Sequence, residues 1–196
     1  MKDSAHEINN NNSTLLDVIK CDLYRLGEKK GIKEFIKQLL LNRSYRVVVT
    51  YRLCHALRSK SFLGSNVLFY ICYFFHRLFT GSISTEIPIN TKIGPGLLIL
   101  HGYNIVINKQ AVIGSNVTIF HQVTIGATKT GVPVIKDRVV LGVGSIIIGS
   151  ITINEDVTVG AGSVVTKSID KNTIVAGNPA KVIQKNAPGR AKNILR

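Results

Sequence analysis

The chain has 196 residues, with 25 Lys and Arg against 11 Asp and Glu, a formal net charge of +14. That length suits one large domain or one domain with an appendage, and the charge favours phosphate-bearing ligands or an anionic membrane. No nucleic-acid module or zinc spacing accompanies the charge, so nucleic acid is not an expected partner, and three scattered cysteines without a CxxC pair fit reduced thiols in the cytoplasm better than a disulfide frame.

Residues 1–12 are polar and Asn-rich, and are expected to be disordered. They lack the apolar core of a signal peptide. Thr14 followed by Asp17 marks a helix start. From there "TLLDVIKCDLYRL", "GIKEFIKQLLL" and "YRVVVTYRLCHALRS" place apolar residues at three-four spacing. A fourth helical piece covers 66–79 and stops at Gly81. Its run "NVLFYICYFF" is about half the ~20 residues needed to cross a bilayer, and it reads as a buried helix. Basic residues beside so much apolar surface still leave room for peripheral contact with the inner face of a membrane. Residues 13–82 are thus expected to form a small all-α domain. The charge sits at the two ends: residues 1–80 hold 13 basic and 6 acidic side chains, and residues 181–196 hold 5 basic and no acidic ones.

After Ile87 the period changes to six. Aliphatic residues fall at 87, 93, 99 and 105, then at 113, 119 and 125, and again at 135, 141, 147, 153, 159 and 165. The fourth position after each is often small or β-branched, as at Thr91, Val117, Ser145 and Ser163. A glycine or asparagine commonly follows the aliphatic residue, as at Gly94, Gly114 and Asn154, where unusual backbone angles are expected. Neither a helix nor an ordinary strand repeats at six; hexapeptide units that wind a triangular parallel β-helix do. Each unit supplies one strand and one corner, and the aliphatic side chain points inward, contributing about 2 kcal/mol on burial. Two extra residues fall between Ile105 and Ile113, and four between Ile125 and Ile135. The second insertion, within "GATKTGVPV", must leave the coil as a loop, the usual place for function on a rigid scaffold.

"HGYNIVINKQAVIGSNVTIFHQVTIGATKTG", "LGVGSIIIGSITINEDVTVGAGSVVTKSI" and "VAGNPAKVI" together resemble the serine acetyltransferase branch of the hexapeptide acyltransferases, over about residues 86–183. The resemblance implies a left-handed parallel β-helix from 83 to 183 behind the N-terminal all-α segment, with 184–196 as a basic tail. It also implies a trimer that binds acetyl-CoA between neighbouring subunits, pairing of trimers into hexamers being left open, and it implies no metal.

Acetyl transfer to a hydroxyl needs a base, and histidine suits that work near pH 7. His101 and His121 each stand two positions after an inward aliphatic residue, which predicts the same corner on successive coils. By resemblance His101 is the catalytic histidine, and Glu86, fifteen positions earlier, is the carboxylate that orients it. The resemblance likewise assigns acetyl-CoA to backbone groups along one corner, at Gly126 and Ala127, Gly142 and Val143, and Gly160 and Ala161, with Lys167 and Lys181 near its phosphates. His121, Leu100 and Lys129 are acceptor-side candidates. Free-serine enzymes carry an aspartate where Leu100 stands and an Arg-His pair in the loop that here reads "TKTGVPVI". An ammonium buried beside Leu100 would lack a carboxylate, and the helical region is shorter than in the cysteine-pathway enzymes. Both departures point to a sugar hydroxyl in capsule, exopolysaccharide or O-antigen synthesis, with free serine as the alternative. A metal-binding β-helix would need three histidines around zinc, and the coil holds two; a non-catalytic scaffold would leave His101 and the cofactor corner unexplained.

Overall fold

The computed structural model describes residues 14–27, 31–58 and 65–187. The expected disordered N-terminus (1–12) and all of the basic tail beyond 187 lie outside them. Thr14 and Asp17 cap the first helix reciprocally: the Thr14 hydroxyl donates to the Asp17 carboxylate at 2.7 Å, and the Asp17 N–H donates to the Thr14 hydroxyl at 3.3 Å. Four helices follow, α1 (Leu15–Gly27), α2 (Ile32–Leu41), α3 (Arg43–Arg58) and α4 (Ser65–Gly81).

α3 is the hub of the helical unit. Tyr45 and Val49 pack on Ile19 and Leu23 of α1, while Val47, Val48 and Tyr51 join the β-helix core. Arg52, 6% exposed, forks onto Asp22 of α1 at 2.8 and 3.1 Å and donates to the carbonyls of Ile93 and Gly94 at 2.6 Å each. Asp22 in turn accepts the Leu97 N–H at 2.8 Å. A buried pair satisfied on every side is strongly destabilising to break; this one bolts the helices to the first coil. His76 of α4 makes a second join, with Nε2 2.9 Å from the Ile87 carbonyl and Nδ1 3.1 Å from the Thr50 hydroxyl. Burial holds the imidazole below its ordinary pKa.

α4 departs from the expectation of a buried helix. Only one side, with His76 and Thr80, is covered, while Val67, Tyr70, Ile71, Phe74 and Leu78 stay 50–68% exposed. α3 and the edge of the coil at Ile87 cover that side alone among the described residues, which leaves most of the cylinder open.

Residues 83–187 wind as a parallel β-helix. Its first face stacks Lys92–Ile93, Val112–Ile113, Val134–Ile135 and Thr152–Ile153. The second stacks Leu98–Leu100, Thr118–Phe120, Val140–Leu141, Thr158–Val159 and Ile174–Ala176, closed by the antiparallel strand Lys181–Gln184. The third stacks Val106–Ile107, Thr124–Gly126, Ile146–Ile148 and Val164–Val165. Down the core Ile99 sits on Ile119 and Leu141, and Ile125 on Ile147 and Val165. Thr91, Val117, Ser145 and Ser163 are also fully buried, as their place in the repeat requires.

Two details differ from the sequence reading. Ile125 stacks on Ile107, not Ile105, so the two-residue insertion falls between Ile99 and Ile107, at the His101 corner. Ile105 and Ile107 are both buried and two apart, so the pattern alone could not choose between them. The glycine after each aliphatic residue does not have positive φ; that falls two positions later, at Gly96, Asn116, Arg138, Gly144 and Asp156. The first glycines answer to coil-on-coil contact instead: a Cβ on Gly142 would lie 2.7 Å from the Val159 carbonyl oxygen.

Candidate active site

The corner that follows the second face carries His101 and His121 on successive coils. Their strands are in register, Leu100 beside Phe120, and the rings meet edge to face with centroids 6.0 Å apart. His101 is exposed; His121 is half-buried, and its Nδ1 is buried without a hydrogen-bond partner. A solvent-facing imidazole beside a second ring with an unused nitrogen can move a proton and hold a polar group.

The insertion shapes this corner. His101 has φ +52°, and Asn104 +54°, so two left-handed residues lie within four. For histidine that conformation is uncommon and persists only where the surroundings fix it. They do so here: the Gly102 N–H donates to the Ser44 hydroxyl of α3 at 2.9 Å, Thr85 donates to the Gly102 carbonyl, and the Gln122 N–H donates to the Tyr103 carbonyl at 2.8 Å. A side chain on Gly102 would strike Ile99 at 2.8 Å and Ser44 at 2.9 Å. Sequence reasoning missed Ser44; its signal is a small polar residue opening the buried face of α3, just ahead of Tyr45, Val47 and Val48.

Glu86 lies one coil away, on the segment that runs beside the corner. Its N–H donates to the Ile105 carbonyl at 2.7 Å, and its own carbonyl accepts the Ile107 N–H at 2.9 Å. The side chain is exposed, and among the described residues no hydrogen bond or ion pair joins it to His101.

The residues expected to hold acetyl-CoA divide between two edges of the prism, which corrects the reading of a single corner. Gly142–Val143 and Gly160–Ala161 follow the second face, in line with His101 and His121. Gly126–Ala127 follows the third face, so one full side of the triangle, Val123 to Ile125, separates it from His121. Lys167 shares that second edge, and so does Lys129, which tops a tight hairpin closed by Thr128 N–H to Gly131 O at 2.9 Å and the reverse bond at 3.2 Å. The hairpin is the four-residue insertion. Lys181 opens the antiparallel closing strand opposite Ala176 and is exposed.

Beside His101 lies a cleft of about 490 Å³ between the helices and the coil. Leu100 and Tyr103 line it from the corner, and Asn42, Arg43 and Ser44 from the start of α3. None of its described lining residues is acidic.

A histidine at a strained, clamped corner of a hexapeptide-repeat prism, beside a cleft, is the arrangement of an acyltransferase that activates a hydroxyl. No family model matches the chain. It is 35% identical to a serine acetyltransferase of Helicobacter pylori over 165 residues, 82% of this chain and 93% of that protein. Among solved structures, the serine acetyltransferase of Brucella abortus in complex with coenzyme A superposes with a TM-score of 0.72 at 28% identity, covering 87% of this chain and 68% of that one. The Neisseria gonorrhoeae enzyme in complex with serine gives 0.72 at 27% identity, covering 87% and 69%. The chain belongs to the serine acetyltransferase family. Its coil is accordingly the left-handed β-helix of that family, and its chemistry is acetyl-CoA-dependent O-acetyl transfer.

Proposed function

We propose that the chain transfers the acetyl group of acetyl-CoA to a hydroxyl held in the cleft, with His101 as general base. The clamped His101 corner is the observation that carries this. As the acceptor oxygen bonds to the thioester carbonyl carbon, His101 takes the hydroxyl proton. The carbon–sulfur bond then breaks, and the proton passes to the departing thiolate. Glu86, on the segment beside the His101 corner, is the carboxylate available to orient the imidazole. Gly142, Val143, Gly160 and Ala161 offer main-chain groups to the pantetheine arm. Gly126, Ala127, Lys129 and Lys167 sit on another edge, so they serve the site through a neighbouring protomer, as a trimer with intersubunit sites would allow.

For the acceptor, serine is the first reading, because the Helicobacter and Neisseria relatives are named for it. The short helical region is compatible with serine as acceptor, since the similarity extends over 93% of the Helicobacter protein. Arg43 in the cleft offers a partner for an amino acid's carboxylate. A sugar hydroxyl is the second reading, and a specific observation favours it: Leu100 and the other lining residues give a charged amino group no carboxylate. No relative named here supports a role in polysaccharide synthesis. Thiol release from acetyl-CoA, measured with serine and with a panel of sugars and oligosaccharides, tests both. Turnover with serine alone establishes the first reading; turnover confined to saccharides establishes the second; acetyl-CoA that fails to bind at millimolar concentration defeats both.

A further inference from the structure

We propose that the outward face of α4 seats this protein on an anionic lipid surface. At 3.6 residues per turn, Val67, Ile71, Phe74 and Leu78 form one stripe, 65%, 50%, 64% and 52% exposed. Tyr70, Tyr73 and Arg77 run along one edge of it, apolar bodies with polar tips, as side chains at a water–lipid boundary are arranged. Large contiguous apolar patches on a soluble protein mark a contact surface. No described helix is long and apolar enough to cross a membrane, so the geometry is that of a helix lying in the plane of the interface.

Charge selects the occupant. α4 carries no Asp or Glu, and the chain has a net charge of +14. A second copy would bring the same sign to the contact, whereas an anionic leaflet brings the opposite one, worth about 1 kcal/mol per basic residue near the surface. The apolar surface also continues toward the active site. Arg46 donates to the Leu40 carbonyl at 2.8 Å while its guanidinium lies 5.5 Å from the Phe79 ring centroid, so the C-terminal ends of α2 and α4 adjoin. Leu40 and Leu41 there are 67% and 74% exposed, and Leu41 lines the His101 cleft. The cleft thus shares Leu41 with the end of α2 that adjoins α4.

Flotation of the full chain with phosphatidylcholine vesicles, with and without phosphatidylglycerol, tests this. Partition should rise roughly tenfold with the anionic lipid and fall back roughly tenfold in the Ile71→Glu/Phe74→Glu variant, at unchanged mass by light scattering. The chain has no tryptophan, so Phe74→Trp supplies a second readout that does not depend on the double variant folding. Its emission should shift to the blue only when anionic vesicles are added. A wild-type chain that stays in the soluble fraction with both vesicles overturns the proposal. So does a fall in oligomer mass in the double variant, or a tryptophan already blue-shifted without lipid, because either shows that another copy covers the face.

Discussion

Removing the Ser44 hydroxyl asks whether the helical unit positions the base. Ser44→Ala deletes the acceptor, 2.9 Å away, of the Gly102 N–H, which is buried one residue after His101. A buried donor left unpaired costs about 1–3 kcal/mol. For a chain of this size each kcal/mol lowers the melting temperature by roughly 2–4 °C. The larger effect is expected on catalysis: the left-handed backbone at His101 loses one of its clamps, and misplacing a catalytic group by about 1 Å can cost about 100-fold in rate. Steady-state thiol release should therefore show kcat reduced by about 10- to 100-fold with KM for acetyl-CoA little changed, since Ser44 bonds Gly102 and none of the glycine pairs expected to hold the cofactor. Ser44→Thr, which keeps the hydroxyl, should recover most of the kcat. A Ser44→Ala enzyme with full kcat and an unchanged melting temperature would refute the clamp.

Other outcomes follow from the same contacts. His76 is held neutral by burial, with its pKa below the ordinary value of 6.5. As pH falls through about 6.5 the unfolded chain takes up a proton that the folded chain refuses. Stability should then drop by up to about 1.4 kcal/mol per pH unit until the depressed folded pKa is reached; the stability profiles of wild type and His76→Gln should differ in slope only between about pH 6.5 and that lower value, and profiles that stay parallel across it would rule this out. Gly142→Ala places a Cβ 2.7 Å from the Val159 carbonyl oxygen and 2.8 Å from the Ala161 nitrogen. Overpacking of that kind costs about 1–3 kcal/mol, to be read by denaturant unfolding, whereas Gly144→Ala meets nothing at its Cβ position and should cost only the backbone strain of its φ of +66°, about 1–2 kcal/mol.

The prism was legible because its cause is a strict repeat. Inward residues every six positions can be counted, and Ile119, Ile125 and Leu141 are each fully buried, as the count requires. The helices were legible from their apolar spacing and from the Thr14–Asp17 cap. The repeat became ambiguous where two registers satisfied it equally, as at Ile105 and Ile107, and that ambiguity hid the insertion that shapes the His101 corner. Contacts between the two halves left no periodic trace. Asp22 and Arg52 are 30 residues apart in the chain, and Ser44 and Gly102 are 58 apart; only the fold makes them neighbours. The two-edge division of the cofactor residues likewise depends on which face each strand joins. A motif match gives residue types, and does not show that Gly126 and Gly142 look out from different edges.

The central claim is that His101 takes the hydroxyl proton. Single-turnover acetyl transfer by His101→Ala, under saturating acetyl-CoA and the acceptor identified for the wild type, tests it most directly. The rate should fall by about 100- to 10,000-fold while acetyl-CoA affinity and melting temperature hold. Undiminished transfer by that variant would contradict the claim.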